Sequence, residues 1–250
     1  MDIKNKSLFL GLLLTAHLLS LAGCSEKITR GDTTPPGTPV LLPAPSDTCW
    51  GETGTDAVPG EDWIQLIWLD QTEPDLWGYR IYRWTPPYEI PTLLDSKTLG
   101  SGDNDTTYED TSVEIGVRYY YQVTALDRAG NESAKSDTVD YMLIPKLSPE
   151  NLIAPRGNIV ERQPTFSWIS TGESLQNHLR VYDVLEERTV WVSPGHNPFS
   201  SPHAVLYNDD GTAAQSLLIP GREYWWRVDR QGSALRSGSE SHWVSFSVRN

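Results

Sequence analysis

Cysteine is scarce in this chain of 250 residues, which contains only Cys24 and Cys49. Two thiols exclude a framework of several disulfides, and they also exclude a cysteine-rich zinc or redox site. The protein must therefore be stabilised by hydrophobic cores. Its length and its 38% content of hydrophobic residues are sufficient for one or two domains.

Positive charge is also in short supply. The chain has 20 Lys and Arg residues against 33 Asp and Glu, which gives a net charge of −13 at pH 7, or −14 without residues 1–23. A surface of this sign repels nucleic acid and anionic lipid headgroups. We therefore expect no nucleic-acid partner.

Sequence signatures of catalysis are missing. No Gly-x-Ser-x-Gly elbow, P-loop or dinucleotide fingerprint occurs. None of the histidines after residue 23 has the spacing of metal ligands, so we interpret them as solvent-exposed loop residues. They are His178, His196, His203 and His242. The sequence predicts neither an enzyme nor a cofactor.

Four acidic residues lie close together and offer an alternative as a weak calcium site: Asp103, Asp105, Glu109 and Asp110. Their spacing does not match a dedicated calcium-binding loop. Asp also favours turns for reasons of its own backbone hydrogen bonding. We therefore favour turns over a calcium site and predict no metal.

A sustained apolar run occurs only at the start of the chain. Lys4 and Lys6 precede an apolar stretch over residues 8–19, and Leu21-Ala22-Gly23 follows it. An apolar core of this length indicates a signal peptide, residues 1–23, rather than a membrane-spanning helix. No later segment is long and apolar enough to cross a bilayer.

The sequence Leu21-Ala22-Gly23-Cys24 resembles the lipobox of bacterial lipoproteins. In that family the cysteine thiol receives a diacylglycerol and the peptide is cut just before it, so the resemblance implies a lipid anchor on Cys24. The alternative is an ordinary signal peptide followed by a chance cysteine. Ser25 stands where an Asp often retains lipoproteins at the inner membrane, so the resemblance implies a cell-envelope location, at the outer membrane if the host is diderm. Residues 24–36 would form a lipidated, extended tether.

The chain is rich in aromatic residues, proline and glycine, with 10 Trp, 11 Tyr, 18 Pro and 19 Gly. Helix-favouring runs are scarce after residue 25, so the composition predicts an all-β protein. Strand-like runs cover residues 64–68, 78–83, 119–125, 138–143, 164–168, 179–184, 190–192, 224–228 and 243–248.

An internal repeat divides this region in two. Gly116 is followed by Tyr119, Tyr121 and Val123 at offsets of three, five and seven residues. Gly221, 105 residues later, is followed by Tyr224, Trp226 and Val228 at the same offsets. A spacing of two places each set of side chains on one face of a strand, and the separation matches the length of one sandwich domain.

These residues resemble fibronectin type III domains. The loop that ends at Tyr224 is similar to the family's entry to strand F, and Tyr119 holds the matching place in the first repeat. Trp68 and Trp168 resemble the core tryptophan of strand B, and Tyr182 resembles a strand C residue such as Tyr82. The resemblance implies two tandem immunoglobulin-like (fibronectin type III) β-sandwiches, residues 37–144 and 145–250, after the lipoprotein signal peptide.

Each repeat also departs from the family pattern. The second repeat has a stretch rich in Pro, Ser and Asn over residues 193–213, where the family has a short strand. The first repeat has an insertion at about residues 45–62 that contains Cys49 and Trp50.

The first repeat contains more aromatic residues than one core requires. Trp84-Thr85-Pro86-Pro87-Tyr88 follows a predicted strand and is expected to form a loop. We therefore take Trp84, Tyr88 and Trp77 as candidate binding residues that could stack on sugars or dock a protein. The alternative is that Trp77 and Trp84 cover a sheet edge or an interdomain contact.

Two functions follow from these features. The first is a non-catalytic, membrane-anchored lipoprotein acting as an adhesion, scaffold or protein-interaction module, suggested by the anchor, the tandem sandwiches and the missing catalytic groups. The second is a carbohydrate-binding lipoprotein of the cell envelope that uses the aromatic residues. In either case the expected partners are the membrane, through the lipid on Cys24, and an unidentified protein or glycan.

Overall fold

A computed structural model describes residues 31–100 and 105–250. The signal peptide, Cys24 and Asp103 lie outside the described residues, so the predictions made for them stay predictions. Within the described ranges, no helix has the length and apolarity needed to span a bilayer.

The first half of the described chain forms an antiparallel sandwich, which we call the first unit. Its strands are β1 (Asp56–Ala57), β2 (Ile64–Ile67), β3 (Leu76–Trp84), β4 (Thr92–Thr98), β5 (Thr107–Asp110), β6 (Arg118–Asp127) and β7 (Val139–Leu143). One sheet has the order β1-β2-β5, and the other has the order β4-β3-β6-β7. Strand β6 alternates as its sequence predicts, with Tyr119, Tyr121 and Val123 buried.

The second half forms a similar sandwich, the second unit, which begins with a short 3₁₀ helix (Pro149–Asn151). Its strands are β8 (Leu152–Ala154), β9 (Gly157–Ile159), β10 (Thr165–Trp168), β11 (Gln176–Asp183), β12 (Arg188–Val192), β13 (His203–Leu206), β14 (Glu223–Gln231), β15 (Ser237–Glu240) and β16 (Val244–Val248). One sheet has the order β13-β10-β8, and β12, β11 and β14 lie side by side in the other. Both β15 and β16 pair with β14.

The buried apolar residues form two clusters, one in each unit. Trp68 and Tyr79 belong to the first cluster, and their rings meet edge to face at 4.9 Å. Trp168 and Trp226 belong to the second. The two sheets of each unit face each other across such a cluster, which is the arrangement of a β-sandwich. The predicted all-β fold class is confirmed.

Both repeated tyrosines close the loop that precedes their strand. The Tyr119 hydroxyl accepts a hydrogen bond from the Glu114 backbone N–H at 3.1 Å, and the Tyr224 hydroxyl accepts one from Ile219 at 2.9 Å. Each donor lies five residues before its tyrosine, and we call Tyr119 and Tyr224 the corner tyrosines. Gly116 and Gly221 turn these loops with φ angles of 83° and 79°, a left-handed conformation that glycine adopts without steric cost.

The larger sheets of the two units join into one composite sheet, in the order β12-β11-β14-β15-β7-β6-β3-β4. Strands β7 and β15 are parallel neighbours at the junction. Backbone hydrogen bonds connect Met142 N to Arg236 O at 3.2 Å and Ile144 N to Gly238 O at 3.0 Å. The two units are therefore linked through main-chain pairing as well as through side chains.

The two cores lie on opposite faces of the composite sheet. Leu143 belongs to the first core and pairs with Gly238, which in turn pairs with Gln231. Paired residues point to the same side of a sheet, so Gln231 points to the side of the first core. On β14 the alternate residues Trp226 and Val228 point the other way, into the second core.

Several local predictions are wrong. Trp84 is the last residue of β3 rather than a loop residue, and Glu109 and Asp110 belong to β5 rather than to a turn. His178 and His203 are buried strand residues, because β11 and β13 pass through the interior of the second unit.

The remaining corrections concern register. The stretch over residues 193–213 contains strand β13, so the second unit has the short strand that its Pro, Ser and Asn content obscured. Tyr182 pairs with Trp225, the residue after the corner tyrosine, whereas Tyr82 pairs with Gln122. Tyr182 therefore occupies the position of Trp84, which pairs with Tyr120.

Candidate functional site

Two of the three predicted aromatic residues lie together on the outer face of the first unit. Trp84, at the end of β3, stacks on Tyr120 of β6 with ring centroids 5.5 Å apart and planes 17° from parallel. Tyr88 follows in the loop between β3 and β4 and is 74% exposed. With Pro86, these rings line a cavity of about 390 Å³, which we call the β3–β6 aromatic site.

Hydrogen bonds hold the loop of this site in place. The Thr85 hydroxyl donates to Arg118 O at 2.8 Å, which ties the loop to the start of β6. The Tyr88 N–H donates to Thr85 O at 3.1 Å, and the Thr92 hydroxyl donates to Arg83 O at 2.8 Å. The exposed Tyr88 ring is therefore carried by a loop that is fastened at both of its ends.

The rim of the β3–β6 aromatic site is polar. Glu89 and Thr138 line it together with the rings, and both residues are exposed. The Gln122 amide donates to the Thr138 hydroxyl at 3.2 Å, which orients that hydroxyl. A few polar groups around aromatic walls are typical of sites that bind small, partly polar molecules.

Trp77 does not belong to this site. It is 45% exposed, but it lies at the start of β3, seven residues before Trp84. At about 3.3 Å per residue the two positions are roughly 23 Å apart along the strand. Tyr120, by contrast, was missed in the sequence, although its place between the buried residues Tyr119 and Tyr121 indicates that it faces outward.

The segment that follows the predicted lipid anchor docks at the Trp77 end of the first unit. The Gly37 N–H donates to the Glu73 carboxylate at 2.9 Å, and the Gln71 amide donates to Gly37 O at 2.7 Å. The Asn131 amide donates to Asp32 O at 3.2 Å. Because Glu73 precedes β3 and Trp84 ends it, the β3–β6 aromatic site lies at the end away from this docked segment.

A buried ion network joins the units, and sequence reasoning missed it. Arg180 of β11 and Arg227 of β14 are each 1% exposed and point to the face that the first unit's insertion covers. Arg227 contacts the carboxylates of Asp229 at 2.7 Å and Glu240 at 2.8 Å. Glu52, from the insertion, pairs with Arg180 at 2.9 Å and also contacts Arg227.

The charges of this network perturb one another. Burial opposes ionisation of Asp229, but the attraction of Arg227 and Arg180 outweighs it and holds the pKa of Asp229 below its usual value. Burial raises the pKa of Glu52 and raises that of Glu240 well above the usual range. Groups with shifted pKa values also occur at catalytic sites, so the pattern alone does not define a role.

The three carboxylates of Glu52, Asp229 and Glu240 approach within 4.8 Å of one another, which is close enough to surround a metal ion. Arg227 contacts all three, and Arg180 contacts two of them. Since each of the three carboxylates is already paired with a guanidinium group, we interpret the cluster as an ionic link that holds the insertion in place rather than as a metal centre or an active site.

A second acidic group lies at the same junction. The Tyr141 hydroxyl donates to the Asp56 carboxylate at 2.6 Å, and the Ala57 N–H donates to it at 2.8 Å. Burial raises the pKa of Asp56 to about 7, although both hydrogen bonds oppose the shift. Near neutral pH this carboxyl is therefore divided between its protonated and ionised forms.

Comparisons with known proteins find that part of this chain is similar to a short segment of much longer proteins. No family model matches the chain. The amylopullulanase of Thermoanaerobacterium saccharolyticum is 36% identical over 90 residues, which is 36% of this chain and 6% of that protein. The amylopullulanase of Thermoanaerobacter thermohydrosulfuricus is 38% identical over 90 residues, 35% of this chain and 6% of that protein. The match thus concerns one small segment of each relative.

Solved structures resemble parts of the chain. A fibronectin type III-like protein from Clostridium thermocellum is 26% identical, with a TM-score of 0.30, and the match covers 46% of this chain and 98% of that one. A β-1,2-glucanase from Parabacteroides distasonis is 27% identical, with a TM-score of 0.33, and covers 46% of this chain and 14% of its own.

Proposed function

We propose that this protein is a non-catalytic, lipid-anchored module of the cell envelope that binds carbohydrate through the β3–β6 aromatic site. One observation carries the proposal: Trp84, Tyr120 and Tyr88 surround a single cavity that also presents Glu89 and Thr138. Aromatic faces can pack against the C–H face of a sugar ring. A carboxylate can accept hydrogen bonds from the hydroxyl groups of the sugar, and a hydroxyl can both donate and accept them.

The charge of the protein restricts the class of sugar. Glu89 lies at the rim of the cavity, and the chain as a whole carries a net charge of −13. Acidic polysaccharides would be repelled by this surface, whereas a neutral polysaccharide would not. The likeness to a segment of amylopullulanase, whose name marks it as a pullulan-acting enzyme, is consistent with a module that works beside such a polymer.

The proposal also includes the lipid anchor, which would orient the first unit relative to the membrane, and the division of the chain into two domains. A lipid on Cys24 would hold the chain at the membrane, and the eight steps of chain between Cys24 and Asp32 could span at most about 29 Å. The membrane would then face the Trp77 end of the first unit, and the β3–β6 aromatic site would point away from it. We assign the two units to domains 37–144 and 145–250.

The anchor is tested by Cys24→Ala with cell fractionation. We expect the variant to leave the membrane fraction or to be mislocalised, and globomycin treatment of the wild type to interfere with its maturation. Membrane retention of Cys24→Ala at the wild-type level would remove the lipid from the proposal without affecting the binding site.

Binding is tested with the full-length protein solubilised in detergent, by pull-down on insoluble starch and on insoluble β-glucan and by affinity electrophoresis in pullulan gels. We expect binding to at least one of these neutral glucans and a loss of at least tenfold with Trp84→Ala. The matched control is Trp77→Ala, which removes a 45% exposed indole ring from the other end of the same strand. Equal binding by the wild type and Trp84→Ala would overturn the assignment.

A protein partner is the second candidate, because an exposed tyrosine on a fastened loop is also typical of protein-binding surfaces. In that case no glucan would bind, and crosslinking on intact cells would capture one partner protein. That capture would be lost with Tyr88→Ala and retained with Trp77→Ala.

A further inference from the structure

A second group of aromatic rings lies on the outer face of the second unit. Tyr182 of β11 and Trp225 of β14 stack with centroids 6.2 Å apart and planes 26° from parallel. Trp243, just before β16, lies 5.9 Å from Tyr182 and 6.4 Å from Trp225. Trp225 is 37% exposed, so its ring remains accessible to a ligand. We call these three rings the β11–β14 aromatic site.

This site repeats the first one in register. Trp225 follows the corner tyrosine Tyr224, as Tyr120 follows Tyr119. Tyr182 is the cross-strand partner of Trp225, and Trp84 is the cross-strand partner of Tyr120. The same two positions of the sandwich thus carry a stacked aromatic pair in both units, although the residue types are exchanged.

The surroundings also correspond. The β11–β14 aromatic site borders a cavity of about 320 Å³ lined by Glu223, Trp225, Trp243 and Ser245. It therefore offers a carboxylate and a hydroxyl beside its rings, as Glu89 and Thr138 do at the first site. A rim carboxylate at both sites favours an uncharged ligand over an acidic one.

The rings of the second site are held in position from two sides. The Trp225 indole N–H donates to the Glu223 carboxylate at 2.9 Å, which fixes the orientation of that ring. The Arg227 guanidinium lies 4.5 Å from the centroid of Trp243 and is itself bound by the buried ion network. Because little side-chain freedom is left to lose, the rings are preorganised for stacking.

The two sites lie on opposite faces of the composite sheet. Trp225 is on the same side of β14 as Gln231, which points to the side of the first core. Tyr120 lies between Tyr119 and Tyr121, which point into the first core, so Tyr120 points to the other side. A glycan chain that follows one face of the sheet meets one of the two sites.

From this repeated arrangement we infer that the β11–β14 aromatic site is a second binding site for neutral glycan, and that each protein molecule binds two separate glycan strands, one on each face. The inference rests on the proposed function, which it extends from one site to two. Its physical consequence is crosslinking of glycan strands rather than tighter binding of a single strand.

The test is the number of binding sites per chain, measured by isothermal titration of the detergent-solubilised full-length protein with maltohexaose and with cellohexaose. We expect two sites in the wild type for at least one of these oligosaccharides, one site in Trp84→Ala and in Trp225→Ala, and none in the double variant. Trp225→Tyr, which keeps a ring, should retain two sites. Phe199→Ala, which removes a ring that is 83% exposed elsewhere on the second unit, is the matched control.

The outcomes separate the two proposals. A single site that disappears in Trp84→Ala and is unchanged in Trp225→Ala would overturn the second site and leave the proposed function standing. No heat of binding from the wild type with either oligosaccharide, together with no retention on the polysaccharides, would overturn both. Thermal melting curves of every variant must match the wild type before its site count is used. If Trp225→Ala does not fold, Tyr182→Ala, which removes the ring that stacks on Trp225, replaces it and should likewise leave one site.

Discussion

The two units share a framework and differ in what covers their larger sheets. Each has a buried tryptophan at the end of the central strand of its smaller sheet, since Trp68 follows β2 and Trp168 ends β10. Each also has a tyrosine hydroxyl that closes the loop before its long strand. On the second unit, however, the insertion of the first unit covers part of the outer face and buries Arg180 and Arg227 there. The shared positions of the core tryptophans and loop-closing tyrosines thus follow from periodicity along the chain. Which residues of the outer sheet face are buried depends instead on the part of the protein that packs against that face.

The cores show the same contrast. Trp68 meets Tyr79 edge to face, but Trp168 stacks on His203 at 4.5 Å with its plane 14° from parallel. His203 in turn contacts the Ser170 hydroxyl at 2.9 Å. Equivalent tryptophans therefore pack against an aromatic phenol in one unit and a polar imidazole in the other, and burial of the His203 ring lowers its pKa.

The strongest test of this comparison removes each tryptophan in turn. Trp68→Ala and Trp168→Ala each delete an indole that is fully buried, so each should lower the free energy of unfolding by about 3–5 kcal/mol. Urea denaturation followed by circular dichroism measures the change, with Trp50→Ala, at 40% exposure, as the control. A loss below about 1 kcal/mol at either position would contradict its role as a core residue.

The next test compares a buried arginine with an exposed arginine of the second unit. Arg227→Ala leaves Asp229 and Glu240 buried with less compensating charge and should cost about 3–5 kcal/mol of stability. Arg188→Ala breaks an exposed pair with Glu186 and should change stability by about 0–1 kcal/mol in the same denaturation assay. Equal effects of the two substitutions would show that the ion network contributes no more than a surface pair.

The third test uses pH at the junction. The folded protein holds the Asp56 proton more tightly than the unfolded chain, because the pKa rises from 3.8 to about 7. The stability that this proton contributes is therefore complete below pH 4 and is lost as the pH rises towards and through 7. The slope cannot exceed about 1.4 kcal/mol per pH unit.

Asp56→Asn removes this titration. Relative to the wild type, we expect the variant to gain stability steadily between pH 4 and pH 7 in urea denaturation, with no further change above pH 8. Asp62→Asn, at an exposed carboxylate that pairs with Lys146, serves as the control and should leave the wild-type profile in place. Parallel profiles for the wild type and Asp56→Asn would refute the raised pKa.

The smallest effect is expected at the corners. Tyr119→Phe and Tyr224→Phe each remove one hydrogen bond to a backbone N–H, and each should reduce stability by about 0.5–1.5 kcal/mol. Similar losses of stability in the two variants, measured from melting curves, would show that the two hydrogen bonds contribute equally. An unchanged melting curve for one variant would show that its hydrogen bond is present in the structure but contributes nothing measurable to stability.

The sequence predicted the features that depend on neighbours along the chain. The spacing of two residues after Gly116 and Gly221 placed each repeated set of side chains on one face of a strand, and the alternation in residues 119–125 placed a core strand. The role of Tyr119 and Tyr224 in closing their loops was implied by the resemblance to fibronectin type III domains. Of the aromatic residues chosen from the sequence, Trp84 is half-buried and Tyr88 is exposed; both line one cavity, and their role in binding stays a prediction.

Features that depend on pairing across the chain were not predicted. Glu52 is 175 residues from Arg227, and Trp225 and Trp243 were assigned only to strands. Nothing local marks Tyr182 as the counterpart of Trp84, because the equivalence appears only in the register of β11 against β14. Buried histidines were missed for the same reason, since their burial comes from β11 and β13 lying inside the second unit.

The parallel pairing of β7 with β15 has a consequence for self-association. Unpaired strand edges are templates on which further chains can add, and proteins protect them by covering or charging them. Here each unit covers an open strand edge of the other, so β4 and β12 are the two ends of the main strand order, and β9, which pairs with β16, forms a further edge. Strand β4 carries Asp95 and Lys97 on this edge, and β12 begins with Arg188, so charged side chains stand where an aggregating strand would have to dock.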